Sequence, residues 1–291
     1  MTTVCNICPR HCHVDRAGGE LGFCRAPATF RVARIAPHMW EEPPISGARG
    51  SGTVFFSGCS LRCVFCQNRA ISREGKGEDL TDQELITRIL DLQELGVHNI
   101  NFVTPTHYAT GLRTLLEQLR PKLHIPIVYN CGGYESVEAL RALEGLIDIY
   151  LPDFKYVSSQ LSANYSGAAD YADVAQAALR EMHRQVGGVQ FDGKGMLRRG
   201  MIVRHLVLPG CRKDSIAVLH ALSALLPIDE IRLSLMAQYT PDFAQDCPYP
   251  NLHRKLTSFE YTSVLQVADE LGFEGYRQSP DSVGAQYTPD F

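Results

Sequence analysis

Short apolar runs alternate with amphipathic stretches from residue 53 to residue 276. Residues 53–56 (Thr-Val-Phe-Phe) are a compact apolar run that predicts a buried strand, ending at Gly58. Thr81 and Glu84 stand at the spacing of a capping box, in which each side chain satisfies a backbone donor of the other residue. The helix it opens carries an apolar Leu85, Ile89, Leu92 face and stops at Gly96. The pattern then predicts a strand at 99–103, a helix near 110–120 ending before Pro121, a strand at 125–129, a helix at 135–143 and a strand at 146–151. A long helix over about 170–186 and a glycine-rich hairpin between Gly187 and Gly200 follow. Next come a strand at 202–208, a helix at 213–226 and a strand at 230–235. A second capping box, Thr257 with Glu260, opens a helix that stops at Gly272, before a last strand near 273–276.

Strand–helix alternation implies parallel strands joined by crossover helices. About six such units are visible, short of the eight of a closed (β/α)8 barrel. The expected fold is therefore α/β: an open, partial (β/α)6 barrel whose active residues gather at the carboxyl ends of the strands. Residues 1–50 read as loop, rich in Cys, Gly and Pro, with no lasting hydrophobic period. They predict a small metal-stapled lobe, followed by an extended connection through Glu41-Glu42-Pro43-Pro44. This divides the chain into a cysteine-rich lobe, 1–50, and a barrel with a C-terminal tail, 51–291. A heptapeptide at 237–243, Ala-Gln-Tyr-Thr-Pro-Asp-Phe, recurs at 285–291, which suggests that the chain end packs near the first copy at the barrel mouth.

Composition adds three exclusions. A net charge of −4 on 291 residues offers no basic surface for nucleic acid or an acidic membrane. No run approaches the roughly 18 apolar residues of a membrane span. The polar, cysteine-rich start is not a signal peptide, so a cytoplasmic location is expected. Ten cysteines is many for a reducing compartment, and seven of them cluster: Cys5, Cys8, Cys12 and Cys24, then Cys59, Cys63 and Cys66. Clustered thiols in such a setting point to metal or cluster ligands rather than disulfides.

The central set follows the first strand with the spacing C-x3-C-x2-C. Three thiolates on one loop can hold three irons of a [4Fe–4S] cluster and leave the fourth iron open, where electron-transfer clusters usually take four cysteines. A three-thiolate zinc site with a distant fourth ligand is the alternative. The motif, with Phe65 just before its last cysteine, resembles that of the radical S-adenosylmethionine (SAM) superfamily. Cys66-Gln-Asn68, Asp153-Phe-Lys155, and the segment from Arg204 to Gly210 resemble pyruvate formate-lyase activating enzymes, as do the Cys-Pro-Arg start and Trp40-Glu-Glu-Pro-Pro.

That resemblance implies a [4Fe–4S] cluster, SAM as cofactor, and a 5′-deoxyadenosyl radical that takes hydrogen from a protein or peptide, such as the glycine of a glycyl-radical enzyme. It also implies flavodoxin or ferredoxin as electron donor. Asp153 would orient SAM or a monovalent cation, and Lys155 would reach the SAM carboxylate or the substrate. In one respect the chain departs: where activating enzymes carry Gly-Gly-Glu to hold the SAM amino group, this sequence has Thr104-Pro-Thr-His107. Two further readings stay open: radical SAM modification of a small molecule or peptide, and a non-catalytic iron–sulfur or zinc regulatory module.

Further candidates come from position. Asn130 and Arg204 end or interrupt apolar strands, and a buried Arg needs a partner, either the SAM carboxylate or an Asp or Glu. His107, Gln238 and Tyr239 follow strands and could line the pocket. The N-terminal spacing C-x2-C-x3-C-x11-C, with Gly18, Gly19 and Gly22 to turn the backbone, supplies four thiolates for zinc or a second iron–sulfur cluster. His11 and His13 are alternative ligands there.

Overall fold

The computed structural model describes residues 4–278 and Phe291. The segment 4–29 is loop. It leads into β1 (Phe30–His38), a short helix α1 (Pro43–Ser46) and β2 (Ser51–Phe56). Then follow α2 (Arg69–Ser72), β3 (Glu78–Leu80), α3 (Asp82–Glu94), β4 (Ile100–Val103), α4 (Ala109–Leu119), β5 (Ile127–Cys131), α5 (Val137–Ala142) and β6 (Ile149–Pro152). The rest comprises α6 (Ser159–Ser166), α7 (Tyr171–Val186), β7 (Gln190–Phe191), β8 (Leu197–Leu206), α8 (Arg212–Leu225), β9 (Arg232–Met236), α9 (Ser258–Glu270) and β10 (Gly275–Arg277).

The sheet order is β10-β9-β8-β6-β5-β4-β2-β1-β3. From β2 to β10 the neighbours are parallel, which gives six crossovers. The open parallel α/β sheet expected from the alternation is present. Both capping boxes form, Thr81 with Glu84 and Thr257 with Glu260. The glycine-rich stretch is a hairpin, with β7 antiparallel to β8.

The loop expected through residue 50 extends only to residue 29, because β1 is a nine-residue strand antiparallel to β2. Its apolar alternation, Phe30 then Val32, breaks at a bulge between Val32 and Arg34 and resumes at Ile35, so no period persists in the sequence. The strand expected at 125–129 is displaced to 127–131, after Pro126, which has no N–H to give a ladder.

Strand residues alternate between two environments. Val54, Phe56, Phe102, Tyr129 and Tyr150 point outward and are buried beneath the helices, with Leu85, Ile89, Leu112 and Leu116. Each such side chain contributes about 1.5–3 kcal/mol. The inward positions form layers. Ile45 of α1 meets Val128, Ile149, Leu151 and Ile202 in an apolar floor. Above that floor the inward residues are polar, and above them lies the cysteine loop.

Candidate active site

Gly58 turns the chain out of β2 at φ +91° into the loop that carries Cys59, Cys63 and Cys66. All three are free thiols, and each sulfur has a polar neighbour. Leu61 N–H donates to Cys59 Sγ at 3.4 Å, Ser72 Oγ to Cys66 Sγ at 3.4 Å, and Ser166 Oγ lies 3.0 Å from Cys63 Sγ. Burial pushes the Cys59 thiol up to about 12, with Cys63 and Cys66 adding to the rise, and burial also raises Cys66. Left alone, the Cys59 and Cys66 thiols would stay protonated; metal coordination removes the proton. Two of the sulfurs already accept a hydrogen bond and the third has a hydroxyl beside it, and hydrogen bonds to the sulfurs tune a cluster. The donor set therefore fits a [4Fe–4S] cluster. Among the described residues, no three His, Cys, Asp or Glu side chains are arranged to hold a single metal ion.

Beside the loop stands an ion network reaching across the barrel. Lys155 Nζ meets Asp153 Oδ2 at 2.5 Å, and Arg204 Nε meets Asp153 Oδ1 at 3.0 Å. Arg204 also donates to Asn130 Oδ1 at 2.6 Å and to Glu41 Oε2 at 3.2 Å. Glu41 Oε1 in turn accepts from Asn101 Nδ2 at 3.0 Å and Asn130 Nδ2 at 3.2 Å. Burial works against a charged Asp153, but Lys155 and Arg204 outweigh it and hold the carboxyl below its ordinary value. At Glu41 and Glu42 burial wins over Arg204, and both carboxyls are raised. Burial works against a charged Lys155, but Asp153 holds it above its usual value.

The structure thus brings Asn130, Asp153, Lys155 and Arg204 together, and supplies Arg204 with protein carboxylates as partners. Thr104 lies at the end of β4, where its N–H donates to Asn130 O at 2.8 Å. Its φ of +54° is a strained conformation for a β-branched residue, of the kind concentrated at functional sites. Phe65 packs edge-on against Tyr165 and Tyr239, with ring centroids 6.4 and 6.3 Å away. Tyr239 itself is buried, its hydroxyl donating to Leu252 O, so it supports Phe65 rather than lining an open mouth. Gln238 is tied to Gln278.

His107 is fully buried, with Nε2 2.8 Å from Ser57 O and a pKa lowered by burial to about 3. It faces the N-terminal cysteines rather than the barrel interior, in a cavity lined by Cys5, Cys8, Cys12 and Cys24. Residues 285–290 of the repeat lie outside the described residues. Phe291 packs on Phe55, Ile71 and Val103, and Lys76 Nζ donates to its carbonyl at 3.2 Å. The structure adds Glu41, Asn101 and Ser166 to the site. Two adjacent acids before Pro-Pro, in a segment without neighbouring cations, were the available signal for Glu41.

Residues 53–186 match the family model of the radical SAM superfamily. An uncharacterized protein of Methanocaldococcus jannaschii is 27% identical over 281 residues, which is 93% of this chain and 75% of that protein. The fold resembles a radical SAM methyltransferase from Sphaerobacter thermophilus, at TM-score 0.52 and 15% identity over 80% of this chain and 69% of that one. It also resembles Streptococcus suis SuiB bound to the precursor peptide SuiA, at TM-score 0.52 and 14% identity over 76% of this chain and 46% of that one.

Proposed function

We infer that this chain, which carries a radical SAM domain over residues 53–186, acts on a protein or peptide as a radical SAM enzyme of the activating-enzyme type. Cys59, Cys63 and Cys66 would hold a [4Fe–4S] cluster, which with SAM bound would supply one-electron reductive cleavage of SAM and hydrogen abstraction from the substrate. The observation that carries this reading is the three-thiol loop with a polar group beside each sulfur, near a paired Lys155 and Asp153.

The chain's own residues have separable roles. Lys155, paired with Asp153 at the carboxyl end of β6, binds the SAM carboxylate, and Asp153 aims it. Arg204 holds Asp153 from the far side and Glu41 from below, so that the polar layer keeps one geometry. Thr104 and Asn130, joined through the backbone, present carbonyl and hydroxyl oxygens to the SAM amino group where other activating enzymes place an acid. Phe65 and Tyr239 wall the loop from water. A peptide substrate is supported by the likeness to SuiB, which was solved with its precursor peptide. Flavodoxin or ferredoxin would supply the electron, and a glycyl-radical enzyme is one candidate substrate.

The test is anaerobic reconstitution, then dithionite and SAM, with 5′-deoxyadenosine and methionine measured. Wild type forms both. Cys63→Ala loses the barrel's iron and forms neither. Nucleoside formation by Cys63→Ala would defeat the assignment.

A further inference from the structure

Residues 4–29 place four cysteines against the barrel's cysteine loop. Cys5, Cys8, Cys12 and Cys24 line a single cavity, walled in part by Arg16 and His107. None of the four is in a disulfide. The backbone folds tightly around them: Cys5 N–H donates to Val14 O at 2.9 Å and His13 N–H to Cys5 O at 3.1 Å. Phe23 N–H donates to Cys12 Sγ at 3.3 Å. Cys8 and Cys24 are buried and Cys5 and Cys12 half-buried, and all four border a cavity instead of filling it.

Two polar groups of the cavity wall bear on what could occupy it. His107 Nε2 faces the carbonyl of Ser57, which can only accept, so Nε2 carries the proton. Nδ1 is then a lone pair, buried and without a hydrogen-bond partner. Arg16 is fixed by the carbonyls of Ala26, Pro27 and His107 and pairs with no carboxylate among the described residues. A fixed cation with no counter-charge fits a neighbour that becomes anionic, as four thiolates around a metal do.

We propose that Cys5, Cys8, Cys12 and Cys24 hold a second, thiolate-ligated metal centre, either an iron–sulfur cluster or zinc, in contact with the barrel's cysteine loop. His11, at the cavity rim, is a spare donor, whereas His13 does not line the cavity. The four thiols do not converge on one ion position. A cluster of several irons spans such a set, and zinc draws it inward.

The contact with the barrel loop is close. The carbonyl of Cys24 lies 2.7 Å from where a Cβ on Gly58 would stand, so only glycine permits the approach, and Cys59 is the next residue. Arg10 donates to Ser60 O at 2.6 Å in the barrel loop, and to Ser166 O at 3.0 Å. That serine's hydroxyl contacts Cys63. Arg62 stands within electrostatic range of both Cys59 and Cys24. The second centre is therefore placed to fix the barrel loop and to share its cationic surroundings.

The experiment uses the full chain, reconstituted anaerobically with iron and sulfide or with zinc, and counts metal per chain. The triple variant Cys59→Ser, Cys63→Ser, Cys66→Ser is expected to keep about four irons or about one zinc. Adding Cys8→Ser and Cys24→Ser removes them; retained iron indicates the cluster and retained zinc the structural ion. A folded triple variant that binds neither metal overturns the proposal. Should that variant fail to fold, thiol alkylation of the wild-type protein decides. Cys5, Cys8, Cys12 and Cys24 are expected to be protected in the metal-loaded chain and labelled after chelation. Equal labelling in both states overturns the proposal. In Cys8→Ser/Cys24→Ser, a changed electron paramagnetic resonance signal from the barrel cluster is the expected sign of loop contact; an identical signal overturns the contact.

Discussion

Replacing Arg204 by Met tests the polar layer directly. Arg204 bridges Asp153 at 3.0 Å and Glu41 at 3.2 Å, and these three side chains are 9–16% exposed. Removing one partner of a buried ion pair costs about 3–5 kcal/mol. Asp153 keeps Lys155 at 2.5 Å, so the loss falls mainly on Glu41, which retains only the two Asn amides. Burial already raises the Glu41 carboxyl above its unfolded value, and without Arg204 it rises further. A carboxyl raised in the folded state binds a proton that the unfolded chain has released, so stability falls as pH rises through that window. The variant should lose about 3 kcal/mol at about pH 8 and distinctly less at about pH 5.5. Urea unfolding, followed by far-ultraviolet circular dichroism and by fluorescence of the single tryptophan, Trp40, measures both. Adding Glu41→Gln should return about 1–3 kcal/mol at the higher pH through coupling. An equal loss at both pH values, or no coupling, would refute the account of Glu41 as the charge that Arg204 holds.

Three further outcomes follow from the same geometry. Lys155→Met removes a charge-assisted contact worth about 1.5–3 kcal/mol, so SAM affinity by equilibrium dialysis should fall roughly 10- to 100-fold; unchanged affinity would remove Lys155 from the SAM site. Thr104→Gly releases the strain of φ +54° and should stabilise the fold by up to about 1 kcal/mol while weakening SAM binding; a clear loss of stability would show that the threonine side chain contributes more than its backbone costs. Glu260 accepts from Arg254, Gly210 N–H and Thr257 N–H, and Arg254 leads the groups that hold its carboxyl below the ordinary value against burial. Its stabilisation is present above the unfolded carboxyl range and lost as pH falls, so Glu260→Gln should unfold more readily at neutral pH and lose less on acidification; an unchanged acid limb would contradict this.

The elements legible in the sequence were those whose signals are local. Both capping boxes, the apolar face of α3, and the cysteine spacing each depend on residues within a few turns of one another. What escaped was set by distant partners. The alternation of β1 is broken by its bulge, and Ser166 reaches Cys63 across 103 positions of chain. Glu41 reads as connection because its partners Asn101, Asn130 and Arg204 lie 60, 89 and 163 residues away. Arg204 drew attention as a cation inside an apolar strand, but its strand could not tell whether a cofactor or a protein carboxylate answers it. Tyr239 stands after a strand as a pocket residue would, and only the packing of Phe65 against it shows that it is a support.

The matched segment, residues 53–186, does not contain the whole site. It holds the three-cysteine loop, Thr104, Asn130, Asp153 and Lys155, the groups placed nearest SAM under the proposed reading. Arg204 follows it, while Glu41 and the four N-terminal cysteines precede it. Flanking residues therefore set the charge beneath the SAM-side groups and the surroundings of the cysteine loop. Under the proposed reading, the groups that bind a common cofactor cannot distinguish one substrate from another, so selectivity has to come from such additions. The floor helix α1 and the segment that delivers Glu41 belong to that flanking set, and so does Arg10, which holds Ser60, Ser166 and Gly167. Exchanging residues 53–186 for the same segment of a relative should thus preserve SAM cleavage, whereas altering Glu41 or the N-terminal lobe should change which substrate loses hydrogen.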